Sequence, residues 1–151
     1  MSQLYFRGKL AYARAFADPP RGVRGIHVIA PGVGLMEPDA PIRPGALQQM
    51  AIVPIDPREP RYRDSLESSA GELASSLDGQ TDVVFLGSIA TSKYLDVLRD
   101  PFGDRLRVPR ELIGKGTLSR GSILLRSAES GRPLSHVTMA KASGEMWRGI
   151  H

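Results

Sequence analysis

The stretch Gly114-Lys115-Gly116-Thr117-Leu118-Ser119-Arg120-Gly121 places three glycines, two hydroxyls and two cations within eight residues. Glycine lets backbone amides approach a ligand closely. Hydroxyls add donors, and Lys and Arg add charge. The chemistry this pattern suits is capture of an anion, above all a phosphate, by Lys115, Gly116, Thr117, Ser119 and Arg120. That function requires a helix opening at Ser119, because the first amides of a helix are unsatisfied and its dipole favours negative charge. A plain structural loop is the alternative. A second stretch, Gly87-Ser88-Ile89-Ala90-Thr91-Ser92-Lys93, follows an apolar run. Gly87 and Ser88 would hold an anion there if Ser88 caps the next helix. A capped helix without a ligand is the other reading, and the spacing is not that of a P-loop. A third stretch runs from Pro31 to Asp39 and carries the carboxylates Glu37 and Asp39. Either suits a general base, a ribose acceptor or a metal ligand, while ordinary turn chemistry also explains them.

Other chemistries find little support. The chain has no cysteine, which removes disulfides, thiolate metal sites and cysteine nucleophiles. His27 and His136 fall in expected strands and read as structural histidines, and His151 is the final residue. No histidine pair has metal-ligand spacing, so no metal and no cofactor are expected. No Gly-x-Ser-x-Gly elbow is present, which argues against an α/β-hydrolase serine at Ser88.

The elements that must position these loops follow from periodicity. Phe6, Leu10, Ala13 and Ala17 mark a helix from Gln3 to Ala17, ended by Asp18-Pro19-Pro20. Ile26–Ala30 reads as a strand, 31–45 as a long loop, 46–50 as a helical turn and 51–55 as a second strand. Tyr62, Leu66, Ala70, Leu73 and Leu77 form the clearest helical stripe, closed by Asp78-Gly79. Val83–Leu86 is a continuous apolar run, which predicts a parallel strand buried on both faces. A helix over 88–98 and short strands over 105–108 and 134–139 follow. Residues 119–130 read as a helix closed by Gly131, with the first arm of a hairpin as the alternative. This order predicts a single α/β domain over 1–151: three layers, a mostly parallel sheet of four or five strands, and helices on both faces. Ligands of such folds bind at the carboxyl ends of the strands.

Composition is that of a globular chain, with 41% apolar and 24% charged residues among 151. The absence of a long apolar run predicts no membrane association. With Arg7, Lys9 and Arg14 interrupting the amino terminus, no signal segment is expected there. Together with the missing cysteines this points to a soluble cytoplasmic protein. The net charge of +4 is uneven: residues 1–87 carry nine Lys/Arg and ten Asp/Glu, residues 88–151 eleven and six. Arg105, Arg107, Arg110, Lys115, Arg120 and Arg126 meet one intervening acid, Glu111. Such a surplus favours an anionic partner.

Ile29-Ala30-Pro31 to Gly34-Leu35-Met36-Glu37-Pro38-Asp39, and Val83-Val84-Phe85-Leu86-Gly87-Ser88 with its following helix, resemble small bacterial domains of unknown function. More distantly they are similar to the uracil-DNA-glycosylase-like α/β domain of archaeosine-synthesis proteins. The resemblance covers roughly 26–98. It implies a three-layer fold and a link to nucleotides or nucleic acid. It does not imply glycosylase activity, because the His-Ser-Pro-type segment is missing, and Asp39 is the nearest counterpart of the water-activating residue.

The leading expectation is therefore a phosphate-bearing small ligand, a nucleotide or nucleoside derivative, with an enzyme of nucleotide or nucleobase metabolism as one form of it. A nucleic-acid-binding module built on 105–126, and a protein-interaction or structural domain, are the alternatives. The sequence leaves the oligomeric state open.

Overall fold

A computed structural model describes residues 3–143; His151 lies outside them. In chain order the elements are α1 (Gln3–Phe16), β1 (Val28–Ala30), β2 (Gly34–Met36), α2 (Pro44–Ile52), α3 (Pro60–Ser76), β3 (Val83–Val84), α4 (Leu95–Phe102), β4 (Leu106–Pro109), α5 (Thr117–Ser130) and β5 (His136–Thr138). Short 3-10 turns occupy Gly103–Arg105 and Arg110–Leu112, and residues 139–143 are helical. The chain divides into two compact units. The first comprises 1–18, 82–87 and 106–151, and the second 19–81 and 88–105.

This corrects the expected architecture. In place of a sheet of four or five mostly parallel strands there are two small sheets, β1-β2 and β3-β4-β5, and helix dominates. Three local causes are visible. The supposed loop after Ala30 turns back at once as an antiparallel hairpin, pairing Val28 with Met36 and Ala30 with Gly34. Gly32 and Gly34 have φ of +82° and +105°, the region only glycine enters readily. A β1 committed to that hairpin is not part of a central sheet. Next, Ala51 and Ile52 end α2 instead of starting a strand: Pro44 opens the helix and the Val53 amide donates to Gln49 O (3.0 Å). Finally, the apolar run 83–86 does pair in parallel, Val83 with Leu106 and Val84 with Arg107, but as a half-buried edge strand. On its other side β4 pairs antiparallel with β5, Pro109 with His136 and Arg107 with Thr138.

In the first unit Tyr5, Tyr12, Leu112 and Leu124 form a buried cluster, with Phe16, Leu86, Ile123 and Leu134 packed against it. It joins α1, α5 and the segments flanking the strands. In the second unit α3 turns Tyr62, Leu66 and Ala70 inward, and α4 does the same with Leu95, Val97, Leu98 and Phe102. The expected helix over 88–98 starts late, at Leu95. The Tyr62 hydroxyl donates to Lys93 O (2.7 Å), which removes that carbonyl from the helical ladder.

Arg105 shows why a charge count is not a surface. Its guanidinium donates to the carbonyls of Ala74, Asp78, Pro101 and Phe102, at the ends of α3 and α4. Carbonyls at and just beyond a helix C-terminus are short of intrahelical donors; that of Ala74 also accepts the Leu77 amide. Arg105→Ala is expected to destabilise the protein by about 1–2 kcal/mol, read as a lower midpoint in urea. Arg105→Lys should restore only part of the loss, because an ammonium cannot span the same spread of acceptors.

Candidate functional site

Helices α1 and α5 touch backbone to backbone. A Cβ built on Gly8 would lie 2.7 Å from Gly121 O, and one on Gly121 would lie 2.9 Å from Leu4 C and Tyr5 N. Glycine inside a helix costs about 1 kcal/mol relative to alanine, and here the return is a crossing no other residue permits. The neighbours of these glycines are brought together with them. Lys9 Nζ lies 4.3 Å from the Tyr5 ring centroid, and Arg120 Cζ lies 5.9 Å from the same centroid. Burial, and after it the Arg120 charge, hold the Lys9 ammonium below its ordinary pKa of 10.5. Two like charges are thus held near one aromatic ring. The far end of that ring reaches a third segment: the Tyr5 hydroxyl donates to Leu86 O (2.6 Å), one residue before Gly87.

The amino-terminal end of α5 opens beside Arg120. Gly116 occupies the cap position and no side chain caps the helix. Residues 114–119 are all exposed. Gly114 has φ +75° and turns the chain into the helix after Lys115 donates its amide to Leu112 O (3.2 Å). The first helical amides therefore face solvent, with the positive end of the dipole behind them.

The helix reading of 119–130 is thus the observed one, with two changes. The helix begins at Thr117, so Ser119 stands in its first turn rather than at the cap. Gly121 is buried in the helix crossing and cannot also serve the loop. Gly131 closes the helix with φ +72°, as its position suggests.

Gly87, Lys115, Gly116, Thr117, Ser119 and Arg120 all belong to the first unit, whereas Glu37, Asp39 and Ser88 belong to the second. Ser88 opens no helix. Its hydroxyl accepts the Ala90 amide at 3.3 Å in a local turn, so the expected run of helix-start amides is absent from 88–94. Glu37 forms an ion pair with Arg24, and Glu37 to Ala40 form a turn with Pro38 at its second position. Asp39 is exposed on that turn. Among the described residues no group of three His, Asp or Glu side chains is arranged to hold a metal, and no helix is long and apolar enough to cross a membrane.

Sequence reasoning missed two features. One is the participation of Tyr5 and Lys9; the signal was present as glycines inside two helical patterns, at Gly8 and Gly121. The other is a polar hub. Tyr12 is 2% exposed; its hydroxyl accepts the Leu134 amide (3.0 Å) and lies 2.6 Å from His136 Nε2. Burial pushes the His136 pKa below the ordinary 6.5. The charges of Asp82 and Glu111 oppose that shift and Arg107 adds to it. Arg107 Nε, 3.7 Å from Asp82 Oδ1, is buried without a hydrogen-bond partner among the described residues.

Charge is partitioned between the units. The first carries eleven Lys/Arg against five Asp/Glu, a net of +6; the second carries nine against eleven, a net of −2. The whole positive surplus therefore accompanies the α5 loop. No protein family, curated protein or solved structure matches the chain.

Proposed function

We propose that the first unit binds a phosphate-bearing small ligand, a nucleotide or nucleoside derivative, at the open end of α5 beside Lys9 and Arg120. The observation that carries this reading is the approach of those two cations to one ring, forced by the Gly8–Gly121 crossing. A phosphate dianion placed beside an ammonium and a guanidinium is attracted by both. Thr117 and Ser119 add hydroxyls, and Lys115 adds a third cation at the loop. Catalysis by Glu37 or Asp39 gains no supporting observation, so binding is the function proposed.

Titration calorimetry with inorganic phosphate and a nucleoside monophosphate tests the reading. Wild-type protein should bind both, the nucleotide more tightly. Lys9→Ala and Arg120→Ala should each weaken binding by about tenfold or more, the value of one charge-assisted contact. Unchanged affinity in both variants would falsify the site. The net +6 of the first unit also favours a nucleic-acid ligand. That alternative predicts affinity for short duplex or single-stranded oligonucleotides that falls steeply with salt. Saturable mononucleotide binding without any oligonucleotide shift decides for the small ligand.

A further inference from the structure

Tyr5 and Lys9 are four residues apart on α1, so they share one face of the helix, and the lysine leans back toward the turn before it. A long lysine normally carries its ammonium out to water. Lys9 instead lays its Nζ 4.3 Å from the Tyr5 ring centroid. That ring is held at both ends. Its hydroxyl donates to Leu86 O (2.6 Å), and its backbone lies in the helix crossing, where a Cβ on Gly121 would stand 2.9 Å from Tyr5 N. From α5, Arg120 brings its guanidinium carbon within 5.9 Å of the same centroid. Lys9 is half-buried, so its amine is drawn in from water and still reachable by a ligand.

That setting changes the chemistry of the amine. The ring face attracts an ammonium. Loss of water and a neighbouring guanidinium favour the neutral amine, and they hold the Lys9 pKa below its ordinary value, burial first and Arg120 second. A lysine pushed toward its neutral form by burial and a second cation is a nucleophile toward carbonyl carbon. The other three lysines, Lys93, Lys115 and Lys141, are exposed, and water solvates their ammonium groups.

We propose that the Lys9 amine forms an imine with the carbonyl carbon of a phosphate-bearing aldehyde or ketone. The inference rests on the phosphate reading above and adds a covalent step to it. The nitrogen lone pair attacks the carbonyl carbon. The N–C bond forms, the C–O bond breaks, and the oxygen leaves as water with the two amine protons. A proton from solvent then converts the imine to an iminium. No oxidant or reductant takes part, and water reverses the step. The iminium keeps a positive charge beside the ring face, and the ligand's phosphate offsets the Arg120 charge. A nucleoside derivative without its base fits this class, because its ribose opens to a free aldehyde.

Reductive trapping tests it. The full chain is incubated at neutral pH with ribose 5-phosphate and cyanoborohydride, which reduces an iminium to a stable amine, and the modified peptides are mapped by mass spectrometry. Lys9 should take up the adduct several-fold faster than Lys93, Lys115 and Lys141, with the amino terminus scored apart. Ribose should label Lys9 about tenfold more slowly than its phosphate, the value of one charge-assisted contact. A nucleoside monophosphate, which has no free carbonyl, should protect Lys9. Arg120→Gln should slow labelling by plain ribose too, a loss that phosphate binding does not explain. Labelling of Lys9 no faster than that of the exposed lysines overturns the inference and leaves the phosphate reading standing where calorimetry shows binding. Equal labelling by ribose and ribose 5-phosphate, without protection by the nucleotide, overturns both.

Discussion

Gly121→Ala is expected to destabilise the protein by about 3 kcal/mol, against the usual direction of the substitution. An exposed glycine inside a helix normally gains about 0.5–1 kcal/mol when replaced by alanine, because the unfolded chain loses freedom and the helix gains propensity. At Gly121 the added methyl would lie 2.9 Å from Leu4 C, Leu4 Cγ and Tyr5 N, two of which are backbone atoms. Backbone cannot swing aside as a side-chain end can, so α1 must move away from α5. Overpacking of this kind costs ~1–3 kcal/mol, occasionally more. The same displacement breaks the packing of Tyr5 and Leu124. Gly8→Ala should behave similarly, with its methyl 2.7 Å from Gly121 O. Gly71 in α3 supplies the control, since nothing lies within 4 Å of its built Cβ. Gly71→Ala should raise stability by about 0.5–1 kcal/mol. Thermal unfolding reads all three: for a chain of this size, a fall of roughly 6–12 °C at Gly8 and Gly121, and a rise of a few degrees at Gly71. A stabilised Gly121→Ala protein would show that the helices do not cross where described.

The glycine crossing also marks the limit of what the chain reveals unaided. Local signals were legible: α1 ends at Phe16 where Asp18-Pro19-Pro20 follows, α3 carries the Tyr62–Leu66–Ala70 stripe, and α5 closes at Gly131. These depend on neighbours within one or two turns, and such rules act at that range. Pairing was not legible. Val28–Ala30 and Val83–Val84 are short apolar runs of the same kind, yet one enters an antiparallel hairpin and the other a parallel edge. What separates them is the conformation of Gly32 and Gly34, and which partner strand arrives. A short apolar run carries neither piece of information.

The site was half legible for the same reason. Lys115, Gly116, Thr117, Ser119 and Arg120 are contiguous, so composition alone drew attention to them. Lys9 and Tyr5 lie more than a hundred residues away and contribute only because two helices cross at glycine. The charge surplus over 105–126 is a count along the chain and does not by itself describe a surface. Arg105 serves four backbone carbonyls, and Arg107 is drawn toward Asp82. Partition by unit, +6 against −2, is the more informative statement, and it requires the fold.

Tyr12→Phe should cost about 2–3 kcal/mol, out of proportion to the loss of one oxygen. The phenol oxygen accepts the Leu134 amide at 3.0 Å and lies 2.6 Å from His136 Nε2. Removing it leaves two half-buried polar groups, in β5 and the segment before it, without their partner, against ~1–3 kcal/mol for each such group when fully buried. The hub also predicts a pH dependence. With a neutral His136 whose Nε2 is unprotonated, the phenol donates its proton to that nitrogen while accepting the Leu134 amide, and burial, which lowers the His136 pKa, favours this arrangement. Protonating His136 reverses that bond and takes away the acceptor of the phenol proton. The pKa of His136 in the folded chain is lowered, first by burial and then by Arg107, with Asp82 and Glu111 offsetting part of the shift. The unfolded chain therefore takes up the proton first as pH falls. The stabilising contribution is complete above about pH 6.5 and declines below it, until the folded state protonates as well. Asp56 and Asp78, held below the ordinary 3.8 mainly by hydrogen bonds from Arg58 and Thr81, act in a separate and more acidic window. Midpoints of unfolding measured between pH 8 and about pH 5 should fall across the histidine window in wild-type protein. In His136→Gln, which keeps an amide to meet the phenol, the midpoint should stay nearly level over the same range. Equal slopes in the two proteins would remove His136 as the source. The double variant Tyr12→Phe/His136→Gln should lose less than the two single losses combined, because both substitutions break the same bond.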